Sequence, residues 1–191
     1  MQAPIVIVDV EATCDLNMPR RKRELIEIGA VKVINGEVVD KFQIFIKPKR
    51  NAQLSHYCKN LTHIEQNQID NGVSPKDALT ELANWAKDCL LACWGEFDQE
   101  IIEREMHKNK TNTEKFEFIN LKKVYMSVTH MPLTTSLINV LRKEKITFVG
   151  EQHRAYDDAF NTYLVYQKHR KAMDDMIQRL YSYQLLKKYN V

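Results

Sequence analysis

Asp9-Val10-Glu11 closes the apolar run Ile5-Val6-Ile7-Val8. Alternate residues of a strand point to the same face, so both carboxylates project together from a segment whose upstream residues read as buried. Two unpaired carboxylates at the mouth of an apolar core repel each other and lose solvation. They must take up protons or find a cation, and a divalent metal supplies one. An Asp-x-Glu arises by background composition about once in a few hundred positions, so the pair alone says little. What adds weight is a set of later residues in fixed order: Phe97-Asp98 after a second apolar run, then His153, then Asp158 within His153-Arg154-Ala155-Tyr156-Asp157-Asp158-Ala159. Four acids offer an oxygen-rich shell, which suits magnesium or manganese rather than zinc. A histidine with its ordinary pKa of about 6.5 suits proton transfer near neutrality.

Each residue also has a plainer reading. Asp98 could cap the helix that follows it, a role that leaves carboxylate oxygens to spare. Asp157 competes with Asp158 for the last ligand position, and its alternative role is a helix first-turn charge or a partner behind the ligands. His56, His63, His107, His130 and His169 read as surface or satisfied core histidines. Arg20-Arg21-Lys22-Arg23 lies in the loop after the acidic strand, where it either grips phosphates or is simply solvated.

The elements that must position these residues begin with strands near 5–12, 25–34 and 38–47, the last two joined by Asn35-Gly36, a hairpin signal. Ser74 caps a helix opening at Pro75, whose apolar face carries Leu79, Leu82, Ala83 and Ala86. Leu90-Leu91-Ala92-Cys93-Trp94 reads as a buried strand that puts Asp98 just past its end, before a helix over 99–108. A short strand near 116–120 precedes helices near 121–128, 134–143, 154–171 and 174–189. A three-strand meander followed by alternating helix and strand predicts an α/β fold, a mixed sheet with its first three strands antiparallel and helices on both faces.

A chain of 191 residues suits one α/β domain with a sizeable core. Five glycines and five prolines argue against low complexity. A net charge of +3 permits a polyanionic partner without establishing one. Cys14, Cys58, Cys89 and Cys93 have no framework spacing, and the single C-x3-C at 89–93 is a poor zinc signal beside ordinary buried thiols. The first apolar run is cut by Asp9 and has no basic flank, which fits neither a signal peptide nor a membrane span; a reducing, cytoplasmic setting is the expectation.

The order Asp9-x-Glu11, Phe97-Asp98 and His153-x4-Asp158 resembles the DEDDh 3'-to-5' exonucleases. The resemblance extends through Ala12-Thr13-Cys14, Ile26-Glu27-Ile28-Gly29, Leu54-Ser55, Leu61-Thr62-His63-Ile64 and Trp94-Gly95-Glu96. The chain looks most like the branch of histone-mRNA and RNA-interference exoribonucleases, with its small bacterial KapD-like members described as inhibitors of the KinA sporulation-kinase pathway. Cys93 stands where proofreading members carry Asn, and His63 where Gly is common; both departures favour the RNA branch. The resemblance implies a ribonuclease H-like fold over 1–191 as a single exonuclease domain, with the helix near 174–189 packed on it or extending from it.

It also implies two Mg2+ or Mn2+ ions: Asp9 bridging them, Glu11 and Asp158 on the nucleophile side, and Asp98 supporting the other. His153 would be the general base, with Glu11 beside it in the catalytic set. Ala12, Thr13, Phe97 and His153 would contact substrate, the single-stranded 3'-end of a nucleic acid, RNA favoured. The same spacing selects Asp158 over Asp157. Two rival functions remain at this point, a DNA-directed exonuclease and a nuclease-like protein that regulates a signalling partner by binding it.

Overall fold

Alternation along the first strand decides where the acids go. The computed structural model describes residues 4–111, 116–132 and 135–188. In strand β1 (Ile5–Ala12), Ile5 and Ile7 enter one apolar cluster while Val6, Val8 and Val10 enter another on the opposite side of the sheet. Asp9 and Glu11 therefore continue the Ile5/Ile7 face.

β1 pairs antiparallel with β2 (Leu25–Ile34), and β2 with β3 (Glu37–Phe45). Asn35 and Gly36 make the two-residue turn, with φ of 52° and 83°; the left-handed conformation at both positions is what this turn demands. β3 stops at Phe45, short of the expected Lys47; Ile46 still donates to the Ile26 carbonyl but forms a parallel bridge with Val73. Strands β4 (Leu90–Cys93) and β5 (Phe118–Asn120) join in parallel, giving the order β3-β2-β1-β4-β5. The expected mixed sheet is present.

Helices α1 (His56–Thr62) and α2 (Gln66–Asp70) were not foreseen. They are too short to display an apolar period. Their ends are set by local caps: Ser55 accepts the Cys58 N–H, and Glu65 and Gln68 form a reciprocal box. Helices α3 (Pro75–Trp85), capped by Ser74, and α4 (Phe97–Asn109) cover the Val6/Val8/Val10 face with Leu79, Leu82, Ile101 and Ile102. The opposite face is covered by α5 (Leu121–Thr129), α6 (Leu137–Lys143), α7 (Ala155–Lys168) and α8 (Arg170–Lys188). α8 starts at Arg170 rather than near 174, since only His169 separates it from α7. Thr134 and Tyr189, the expected limits of two of these helices, lie outside the described residues. Among the described residues no helix is long and apolar enough to cross a membrane.

One close approach controls how α7 sits. A Cβ on Gly29 would lie 2.0 Å from the Tyr156 nitrogen and 2.3 Å from the Ala155 carbonyl carbon, so only glycine lets the first turn of α7 rest on β2. Two residues earlier on the strand, fully buried Glu27 accepts hydrogen bonds from the Ala155 N–H (3.2 Å), Arg154 Nε (3.3 Å) and Nη2 (3.2 Å), and Gln43 Nε2 (2.6 Å). Gly29→Ala is accordingly expected to destabilise the protein by roughly 1–3 kcal/mol or more, as overpacking against rigid backbone does. Urea denaturation gives the value, and an unchanged midpoint would mean that α7 does not dock as described.

Candidate active site

Three segments meet at the end of β1. Asp9 and Glu11 come from the strand itself, in register with Gly29 and Glu27 of β2, and a bulge follows Glu11. Asp98, 6% exposed, lies in the first turn of α4. It is not the helix cap, because Glu96 holds that position; the backbone N–H groups of Val10 and of Asp98 itself act on its carboxylate and oppose the effect of its burial. His153, with φ of 63°, sits just before α7, and its N–H donates to Asp158 Oδ2 at 2.8 Å. Glu11, His153 and Asp158 each present a ligand atom within 4.8 Å of the other two, a group able to hold a metal ion.

Asp157 faces elsewhere. Its carboxylate accepts the Glu151 N–H at 2.8 Å and packs where a Cβ on Gly150 would fall. It thus holds the turn that delivers His153, while Asp158 turns to the site.

Electrostatics marks this corner as unsatisfied. Burial, then the charges of Asp98, Asp158 and Glu11, raises the Asp9 pKa well above the usual carboxylate range. Burial, then Asp158, Glu27 and Asp98, does the same to Glu11. Burial lifts Asp98 to about 7 against the opposing backbone N–H groups, and Asp158 to about 6 against the His153 N–H. The charges that act most on Asp9 are all negative, so the donors fit a hard divalent cation that would replace the missing positive charge. Burial first, then the neighbouring His63, lowers the His153 pKa and favours the neutral imidazole.

The residues assigned to substrate are less uniform. Phe97 opens α4, half-buried, with the Arg20 guanidinium 5.5 Å from its ring centre. Ala12 is buried beyond the bulge. Thr13 is also buried: its N–H donates to the Glu24 carbonyl, and its hydroxyl accepts the Glu24 N–H at 2.9 Å.

His63, read from the sequence as a surface or core histidine, is exposed; it ends α1 with φ of 56° and places Nδ1 3.5 Å from Glu151. The departure at Leu61-Thr62-His63-Ile64 was the available signal. Sequence reasoning assigned no task to Glu27 or Arg154. Cys89 and Cys93 belong to no metal-capable group among the described residues.

A family model described as Exonuclease (RNase_T) matches residues 6–166. The mouse 3'-5' exoribonuclease 1 is 30% identical over 172 residues, an alignment covering 82% of this chain and 50% of that protein. The chain thus spans about half the length of this relative. The probable 3'-5' exonuclease KapD of Bacillus subtilis (strain 168) is 28% identical over 173 residues, covering 85% of this chain and 82% of KapD. The solved nuclease domain of 3'hExo, described as a DEDDh family member bound to rAMP, superposes with a TM-score of 0.81 at 27% identity, covering 89% of this chain and 92% of that one. On a family match spanning most of its length and a ribonuclease H-like α/β fold shared with DEDDh nucleases, the chain belongs to the exonuclease (RNase_T) family.

Proposed function

We propose that this chain is a metal-dependent 3'-to-5' exonuclease that releases nucleoside 5'-monophosphates from single-stranded 3'-ends, RNA favoured. One observation carries the reading: Glu11, His153 and Asp158 bring ligand atoms within 4.8 Å of one another at the end of β1, beside Asp9, on which the charges of Asp98, Asp158 and Glu11 also act. RNA is favoured because relatives bear the name exoribonuclease, and because one solved neighbour is described as recognising the 3'-end of the histone mRNA stem-loop. DNA remains the alternative substrate, since hydrolysis of either would use the same side chains. We read residues 1–191 as one catalytic domain.

In this reading Asp9, Glu11, Asp98 and Asp158 hold two magnesium or manganese ions, which when bound activate water and neutralise charge on the phosphoryl group and the departing 3'-oxygen. His153 takes the proton of the attacking water at a ring nitrogen. Its lowered pKa keeps that nitrogen free at neutral pH, and a ring nitrogen lies within 4.8 Å of ligand oxygens of Glu11 and Asp158. Asp157 steadies the preceding turn. Phe97 offers an aromatic face to the terminal base, and the buried Ala12–Thr13 backbone shapes the floor.

The test is hydrolysis of labelled single-stranded RNA and its DNA counterpart in magnesium, manganese or chelator. Chelator is expected to abolish hydrolysis, and Asp9→Asn to do so nearly as completely. A 5'-blocked strand should shorten stepwise while a 3'-blocked one resists. Hydrolysis that persists in chelator, or internal cuts, would sink the proposal.

Stability should report the same metal site. In the unfolded chain these carboxylates titrate near about 4, whereas in the native state Asp158 does so at about 6 and Asp98 at about 7. Native protons must be given up as pH rises across this window, so the metal-free protein loses stability between roughly pH 4 and 7. Divalent ions bind the deprotonated acids, and manganese should raise the melting temperature more at about pH 8 than at about pH 5. An equal shift at both pH values would count against these acids as ligands.

His153→Ala is expected to lower turnover roughly a hundredfold or more with metal affinity largely kept, the usual size of a general-base contribution. Rates and calorimetric metal binding measured side by side decide it. Parallel loss of both would make His153 a ligand or support instead.

A further inference from the structure

The basic run after β1 is divided by the fold. Arg20–Lys22 forms one 3-10 turn with no buried residue, whereas Arg23 is half-buried, and its charge acts on the Cys14 and Cys58 thiols. Arg104 of α4 clamps the turn from below, donating to the Arg20 and Arg23 carbonyls. A second cationic segment is fastened beside it. Glu24, only 6% exposed, accepts the backbone N–H groups of Lys49, Arg50 and Asn51 at 2.9–3.3 Å. The Asn51 amide bridges Glu24 Oε2 (2.8 Å) and the Lys22 carbonyl (3.2 Å), the latter 29 positions away in the chain.

Exposed Arg20, Arg21, Lys22, Lys49 and Arg50 thereby share one rim. Two ties hold the rim to the acidic corner. Glu24 is bonded through its backbone to Thr13, two residues past Glu11, and the Arg20 guanidinium lies over Phe97, next to Asp98. Among the described residues neither Arg21 nor Lys22 has a carboxylate within ion-pair reach, and the carboxylate nearest Arg50 is the buried Glu24 itself at 3.6 Å. Clustered like charges repel, and a fold that fastens them together through a buried carboxylate gains when an anion lies across them.

We infer that this rim is a phosphate-binding surface for the single strand leading away from the 3'-end held at the acidic corner. The inference rests on the proposed exonuclease reading. Cations from two segments span more than one phosphate, so the rim fits a polymer better than a lone anion. It supplies affinity without reading sequence, because phosphates are the same in every nucleotide.

The experiment measures binding of labelled single-stranded RNA by fluorescence anisotropy at several salt concentrations, in chelator so that nothing is cut. The Arg21→Ala/Lys22→Ala/Lys49→Ala/Arg50→Ala variant should weaken binding and flatten the plot of log affinity against log salt by about 2–3, at roughly 0.7 for each phosphate that is no longer neutralised. An Arg21→Lys/Arg50→Lys variant should keep the wild-type slope, and melting temperatures establish that each variant is folded. A folded alanine variant with the wild-type slope and affinity overturns the inference. So does a wild type that ignores RNA but binds phosphatidylserine vesicles. The two proposals fail separately: a protein that binds through the rim yet never hydrolyses RNA or DNA in metal sinks the exonuclease reading alone.

Discussion

The seating of α7 on β2 is the interaction on which the rest of the site depends. Gly29 removes the Cβ that would otherwise strike the Ala155–Tyr156 backbone, and Glu27 reaches out of the same strand to hold Arg154 and the Ala155 N–H. A fully buried carboxylate is costly unless it is paired and hydrogen-bonded. Four donors meet that requirement here, and the Arg154 guanidinium also lies 5.4 Å from the Phe45 ring centre. The bonds from Arg154 and Ala155 connect residues 127 or 128 positions apart, so they join the first half of the chain to the last helices of the sheet's cover. Because β2 is in register with β1, fixing α7 on β2 also fixes Asp158 and the His153 turn against Asp9 and Glu11.

Two kinds of carboxylate environment in one short stretch of chain illustrate opposite solutions to the same problem. Glu24 is satisfied by backbone N–H groups and the Asn51 amide, and serves to gather loops. Asp9 and Glu11 are left facing other acids, with pKa values pushed up by burial and like charge. A structural acid is surrounded by donors, whereas a site for a cation keeps its oxygens free. That difference separates the acidic corner at the end of β1 from the structural acid Glu24, and it is the local violation of good packing that functional sites carry.

Much was legible in the residues alone. Alternation placed Asp9 and Glu11 on one face, Asn35-Gly36 announced the hairpin, and Ser74 with Pro75 opened α3, because these depend on dihedral preferences and periods that operate within a few residues. The mixed sheet followed from the order of such segments.

Other features depended on partners far along the chain. α1 and α2 have no visible period and owe their ends to caps and to packing on Ile26. Asp98 resembles a cap in sequence, yet the helix starts one residue earlier, at Phe97, with Glu96 as its cap, and Asp98 falls in the first turn. The division of Arg20–Arg23 into an outward turn and an inward arginine and the approach of His63 to Glu151 are also tertiary outcomes. The amino-acid sequence by itself determined which residues could do chemistry and on which strand face the first two stand. Only the tertiary structure decided which of them meet, because their meeting is set by long-range hydrogen bonds and a glycine's missing side chain, neither of which leaves a local pattern to read.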